Sequence, residues 1–253
     1  MMDAARIIDA LGLPDDARVD KKVPKKLLLE QGAPTAADKR LIQEGIEALH
    51  WIAALKPGNV AVPVFRDEVR AYTELAVAHA VLRPKARTAR LLELIHRAIP
   101  YPLALLVTGD EGVLFSLAHK RFSQGEAGRV VLDGVVAVER LGDGDGVEAA
   151  FLEALALSRQ NATDLYALYQ GWMGRMIALT AARLTGIYGV SASVEGDQDR
   201  REVLREHEEL IKKLAGLSAQ AAKEKQLNRR VELNVEIQGI QKALDALVVR
   251  LKG

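Results

Sequence analysis

The chain has 253 residues, 49% hydrophobic and 27% charged, with no cysteine and a net charge of +1. That balance excludes a disordered chain and allows one sizeable core or two small ones, while the missing cysteine excludes disulfides, thiolate zinc sites, iron–sulfur clusters and a cysteine nucleophile. No apolar stretch reaches the ~20 residues of a membrane span, and no secretory signal opens the chain, so the expectation is a cytoplasmic protein without membrane contact.

The charge is unevenly spread: +2 over residues 1–140, −5 over 141–199 and +4 over 200–253. On a long terminal helix, +4 fits a solvated face better than a nucleic-acid footprint.

The predicted elements begin with a helix from Asp3 to Leu11, stopped by Gly12 and Pro14. A basic turn, Arg18 to Lys26, precedes the short helical run Leu27–Gly32. Thr35 is placed to cap a helix over Ala36–Leu55, in which Leu41, Ile42, Gly45, Ile46, Leu49 and Ile52 share one side. Strands are expected at Asn59–Phe65, where Pro63 points to an edge, and at Tyr72–Leu82. An amphipathic helix, Pro84–Ala98, ends at Ile99-Pro-Tyr-Pro102. Three strands follow, Leu103–Thr108, Val113–His119 and Val130–Glu139, the first two joined by a hairpin turn at Gly109-Asp-Glu-Gly112 and the third reached through Ser123–Gly128. This order predicts an α+β fold with a mixed, mainly antiparallel sheet and flanking helices over residues 1–140.

From Leu141 the pattern becomes helical, with a turn at Gly142–Gly146, helices over Val147–Leu157 and Ala162–Leu184, and Asn161 as the N-cap between them. Residues 141–190 read as a helical extension, 191–199 as a linker and 200–253 as an interaction segment. In that segment Leu210, Leu214, Leu217 and Ala221 form one seam, while Leu233, Ile237, Ile240, Leu244, Leu247 and Leu251 form another, out of phase with the first. One long coiled coil with a stutter and a helical hairpin both fit. The candidate partner-binding residues are Leu210, Leu214, Leu217, Asn228, Arg229, Arg230, Asn234, Ile237 and Leu244, and assembly into a homo-oligomer through these helices is the expectation.

Catalytic motifs are absent: there is no phosphate loop, dinucleotide fingerprint or nucleophile elbow, and the five histidines lack metal-ligand spacing. No cofactor or metal is expected. Lys21, Lys22, Lys25, Lys26, His119, Lys120 and Arg121 are candidate nucleic-acid contacts, against the simpler reading of exposed basic residues at turns and strand ends. A metal-dependent nuclease would draw on Glu74, Asp133, Glu139, His119 and Lys120, but the lysine that should follow the acid by two residues is missing.

Five runs taken in order, Leu11-Gly-Leu-Pro14, Val23-Pro-Lys-Lys26, Arg97-Ala-Ile-Pro-Tyr-Pro102, Ala118-His-Lys-Arg121 and Lys223-Glu-Lys-Gln-Leu-Asn-Arg-Arg-Val-Glu-Leu-Asn234, resemble the bacterial and archaeal family called domain of unknown function 4391. The family has no assigned reaction. The resemblance implies an accessory subunit of restriction-like or phage-defence loci, beside a helicase or DNA methyltransferase partner, and so possible proximity to DNA.

Overall fold

The computed structural model describes residues 3–126, 128–144 and 146–252. The Ser123–Gly128 connection and the Gly142–Gly146 turn therefore lie partly outside the described residues, at Ala127 and Asp145. The described residues form two compact units, the first ending at Met176 and the second beginning at Ile177.

In chain order the first unit runs α1 (Ala4–Ala10), β1 (Arg18–Lys22), α2 (Lys25–Gln31), α3 (Ala36–Gly45), β2 (Ile46–Leu55), the single turn α4 (Pro57–Val60), β3 (Phe65–Arg66), β4 (Ala71–Tyr72), β5 (Leu75–Leu82), α5 (Thr88–Ala98), β6 (Leu103–Gly109), β7 (Gly112–Ala118), β8 (Lys120–Phe122), β9 (Val130–Leu132), β10 (Ala137–Leu141) and α6 (Val147–Ala154). Helix α7 (Leu165–Thr185) crosses the division, and α8 (Val194–Lys223) and α9 (Leu227–Lys252) complete the second unit. The fold is α+β. A six-stranded sheet of order β1-β2-β5-β6-β7-β10 is antiparallel except for the β5–β6 pair, which α5 joins. Strands β3–β4 and β8–β9 form two small ribbons.

One face of the sheet packs on α2, α3 and α5. Ala76, Ala78, Ala80 and Leu82 of β5, with Leu103, Leu105 and Val107 of β6, bury against Leu28, Ile42, Leu91, Leu94 and Ile95. Three of these β5 residues, Ala76, Ala78 and Ala80, are small, which lets the helices approach closely. A Cβ at Gly45 would come within 2.7 Å of Leu91 Cδ1, so a side chain there requires the Leu91 side chain to shift.

Several expectations need correction. The helix expected over Ala36–Leu55 ends at Gly45, and β2 takes the remainder. The misleading signal was the three-residue spacing of Ile46 and Leu49. A register irregularity between Ile46 and Ala48 lets both residues face the same core from a strand, where strict alternation would separate them. The basic turn is in part β1, an edge strand of the sheet. Asn59–Phe65 holds the end of a helical turn and only the start of β3. Val130–Glu139 is two strands in different sheets, parted by Gly134 at φ +86°. Thr35 caps α3 as expected, accepting from the Asp38 N–H. Asn161 instead holds a local turn with Thr163, while Asp164 accepts from the Ala167 N–H at the start of α7.

In the second unit the two seams face each other. The chain reverses at Glu224-Lys225-Gln226, making α8 and α9 an antiparallel hairpin, with Lys213 paired to Glu236 and Arg250 to Glu206. Val203, Leu247 and Leu251 close its base together with Ala181. Helix α8 starts at Val194, capped by Ser193, inside the stretch expected to be a linker.

Candidate functional site

The Ala118-His-Lys-Arg121 run and the Arg97–Pro102 run meet at one place, the junction of β7 and β8 with the C-terminus of α5. Four elements supply its side chains: β4 brings Tyr72, the segment before it Arg70, β9's end Asp133, and the first turns of α7 Tyr166, Tyr169 and Gln170.

Each residue of the run has a defined partner. The Ala118 N–H donates to the Tyr169 hydroxyl at 2.8 Å, and that hydroxyl lies 2.9 and 3.1 Å from the Leu103 and Ala118 carbonyls. Tyr169 thus clasps the ends of β6 and β7 to α7. His119 Nδ1 lies 2.6 Å from the Tyr72 hydroxyl, and its Nε2 contacts Gln170 Oε1. The arrangement that satisfies every atom has Tyr72 O–H donating to Nδ1 and Nε2–H donating to the amide oxygen, which keeps the imidazole neutral. The rings of Tyr72, Tyr166 and Tyr169 surround it. Burial raises the Tyr72 phenol well above its usual range, so it serves as a proton donor and not as a phenolate.

Lys120 turns the opposite way. It is 3% exposed, and its ammonium donates to the His96 carbonyl and, at 3.0 Å, to that of Ile99. These are orphan acceptors at the end of α5, where a cation also meets the negative end of the helix dipole. Loss of solvent nevertheless lowers its pKa to about 7. Beneath it, His96 is fully buried, with Nε2 2.9 Å from Ser116 Oγ and Nδ1 unpartnered. Burial, then the Lys120 charge, holds His96 well below the normal histidine range. At the surface Asp133 binds Arg70 at 2.5 Å and lies 3.7 Å from Arg121, and Arg70 rests over the Tyr166 ring. The junction fixes positions: apart from His96 Nδ1 its polar side-chain atoms described above are held by neighbours, and its cations are met by carbonyls or a carboxylate.

The nucleic-acid candidates divide accordingly. Lys120 is inside the fold, correcting the expectation of an exposed strand end, Arg121 is ion-paired, and His119 is packed among tyrosines. Lys26 pairs with Glu30. Lys21 and Lys22 are exposed on β1, and Lys25 donates to the Gln43 carbonyl. Of the nuclease candidates, His119, Lys120 and Asp133 meet at the junction, but the three acids make separate contacts. Glu74 pairs with Lys56, Asp133 with the two arginines, and Glu139 is buried on β10 opposite Phe115. Among the described residues no three of His, Asp and Glu form a metal-binding group.

On the hairpin, Leu210, Leu214, Leu217 and Ile237 are half-buried and Leu244 is buried, whereas Asn228, Arg229, Arg230 and Asn234 are exposed. The sequence reading missed a second apolar stripe on α9: Leu227, Val231 and Val235, 63%, 53% and 64% exposed, with Val249 further along. Their four-residue spacing was available as a signal, but the stronger seam on the other side obscured it. Among the described residues no helix is long and apolar enough to cross a membrane.

Comparison with curated proteins found no match, and comparison with solved structures likewise found none. The family model described as Domain of unknown function (DUF4391) matches residues 11–244. The match takes in the sheet, the β7–β8 junction and most of the hairpin, so this chain belongs to the DUF4391 family.

Proposed function

We infer that the protein is a non-catalytic assembly subunit of the cytoplasm. In this reading the α+β unit docks onto a helicase or DNA methyltransferase of a restriction or phage-defence system, or onto its DNA, and the C-terminal helices drive assembly. The observation that carries the assembly role is the two-sided character of α9. One face, Leu233, Ile240, Leu244, Leu247 and Leu251, is spent on the hairpin, while Leu227, Val231 and Val235 lie roughly 170° around the helix and are exposed among the described residues. A solvated helix keeps its outer face polar, and a row of exposed branched side chains marks a contact surface.

The test is the triple substitution Leu227→Ser, Val231→Ser and Val235→Ser. These residues take no part in the hairpin's buried seam, so the melting temperature should hold while the mass by light scattering, or capture of a helicase or methyltransferase partner, falls. Unchanged mass together with unchanged capture would remove the basis for the assembly role.

A further inference from the structure

Three cations from separate parts of the chain, Lys22, Lys25 and Arg83, converge at the β1 edge of the sheet. Lys21 and Lys22 end β1, Lys25 opens α2, and Arg83 directly follows β5. The backbone brings them together around the start of β2: the Arg83 N–H donates to the Gly45 carbonyl at 2.8 Å, Lys25 Nζ reaches the Gln43 carbonyl, and Lys22 stands opposite His50. The row continues, since His50 stands opposite His79, and His79 Nε2 lies 2.9 Å from Thr108 Oγ1. Directly paired residues of an antiparallel ladder project to the same side, so Lys22, His50 and His79 share one face, while Lys21, paired with Trp51, lies on the face that α2 covers.

Many arginines elsewhere are met by carboxylates, as Arg40, Arg70, Arg90, Arg97 and Arg205 are. Among the described residues Lys21, Lys22, Lys25 and Arg83 have no ion pair. The repulsion is sensed by Lys25, whose pKa is lowered first by burial and then by Arg83 and Lys22, with Glu47 as the one acid pulling the other way. Lysines on an edge strand also keep sheets from pairing edge to edge, which accounts for Lys21 and Lys22. It does not account for bringing Lys25 and Arg83 against them at an electrostatic cost. Such a cost is recovered when an anion arrives.

We propose that this corner, Lys22, Lys25 and Arg83, binds phosphate groups as a nucleic-acid backbone presents them. The donors are two ammonium groups and one guanidinium set at a sheet edge, with no helix or ribbon placed to enter a groove, so the contact is to phosphate and independent of sequence. Neutralising three phosphates gives a salt slope of about −2.7, or roughly 40-fold weaker binding between 50 and 200 mM salt.

The experiment uses the full chain, a labelled duplex of about 20 base pairs of arbitrary sequence, and inorganic tripolyphosphate as a second probe, with binding followed by fluorescence anisotropy and thermal shift. The K22E/K25E/R83E variant should lose roughly tenfold or more in duplex affinity, and K22Q/K25Q/R83Q should lose less in the same direction. A variant with the same change of charge at ion-paired surface sites, R40E/R129E/K212E, should stay close to wild type. Equal loss in the matched variant, or wild-type binding of neither probe at 50 mM salt, overturns the site. Tripolyphosphate binding that the K22E/K25E/R83E variant loses, without duplex binding, retains the phosphate chemistry and assigns a free polyphosphate as its source. Because these residues and α9 belong to different units, failure here leaves the assembly reading standing, and failure of the α9 test leaves this one.

Discussion

Lys120 shows how one side chain can define a structural junction. Its stem is buried and its ammonium satisfies two carbonyls at the end of α5, so removing it leaves those acceptors without a partner. Lys120→Met should therefore lower stability by about 1–3 kcal/mol in urea denaturation. The pH dependence has a definite sign. With a folded pKa of about 7 and an ordinary value of 10.5, the unfolded chain binds the extra proton between those limits, so stability rises with pH across that window. The difference between wild type and Lys120→Met, measured from pH 6 to 9, should isolate this slope; identical pH profiles would contradict it. Asp38 acts at the other end of the scale. Its hydrogen bonds with the Arg90 guanidinium, then Thr35, hold the carboxyl at about 2 against an ordinary 3.8, so its stabilisation is complete above 3.8 and is lost as pH falls toward 2. Asp38→Asn should remove that part of the acid unfolding curve, read by circular dichroism. The destination of Lys120 was not legible in the sequence. Ala118-His-Lys-Arg121 reads as a basic strand end, and only the interruption at His119, between β7 and β8, sends its neighbour inward.

At the scale of elements, legibility followed the kind of spacing a segment carried. The strands of the central hairpin were readable because Gly109 and Gly112 frame a two-residue turn and the flanking runs are apolar. β2 was not, because its register irregularity reproduces a helical spacing in a strand. The two C-terminal seams were readable, but their phase break did not distinguish a stutter from a reversal. The structure resolves it as a reversal: Lys213 pairs with Glu236 and Glu206 with Arg250, so positions advancing along α8 retreat along α9. The buried base of the hairpin then carries much of its stability. Leu247→Ala removes a side chain only 4% exposed from the cluster with Val203 and Leu251, and should cost about 2–4 kcal/mol. A loss of that size should appear as early, separate melting of helical signal by circular dichroism, with the tryptophan environment of Trp172 in the first unit retained. A single transition with both signals shifted together would show instead that the two units unfold as one.

At the scale of the whole molecule, the two proposed surfaces belong to different units: the phosphate corner to the first and the α9 stripe to the second. That separation predicts how they combine. On a short duplex with room for one chain, affinity depends on the corner alone, so L227S/V231S/V235S should bind about as well as wild type. On a duplex several times longer, chains joined through α9 present more than one corner to the same backbone, and linked contacts multiply affinity by the effective concentration of the second site. The stripe variant should then lose most of the gain in affinity that wild type shows on lengthening the duplex, while K22E/K25E/R83E should weaken binding at both lengths. Anisotropy titrations on the two duplexes measure this directly. If the stripe variant keeps the full gain with length, chains do not act together on DNA, and assembly through α9 serves a protein partner alone.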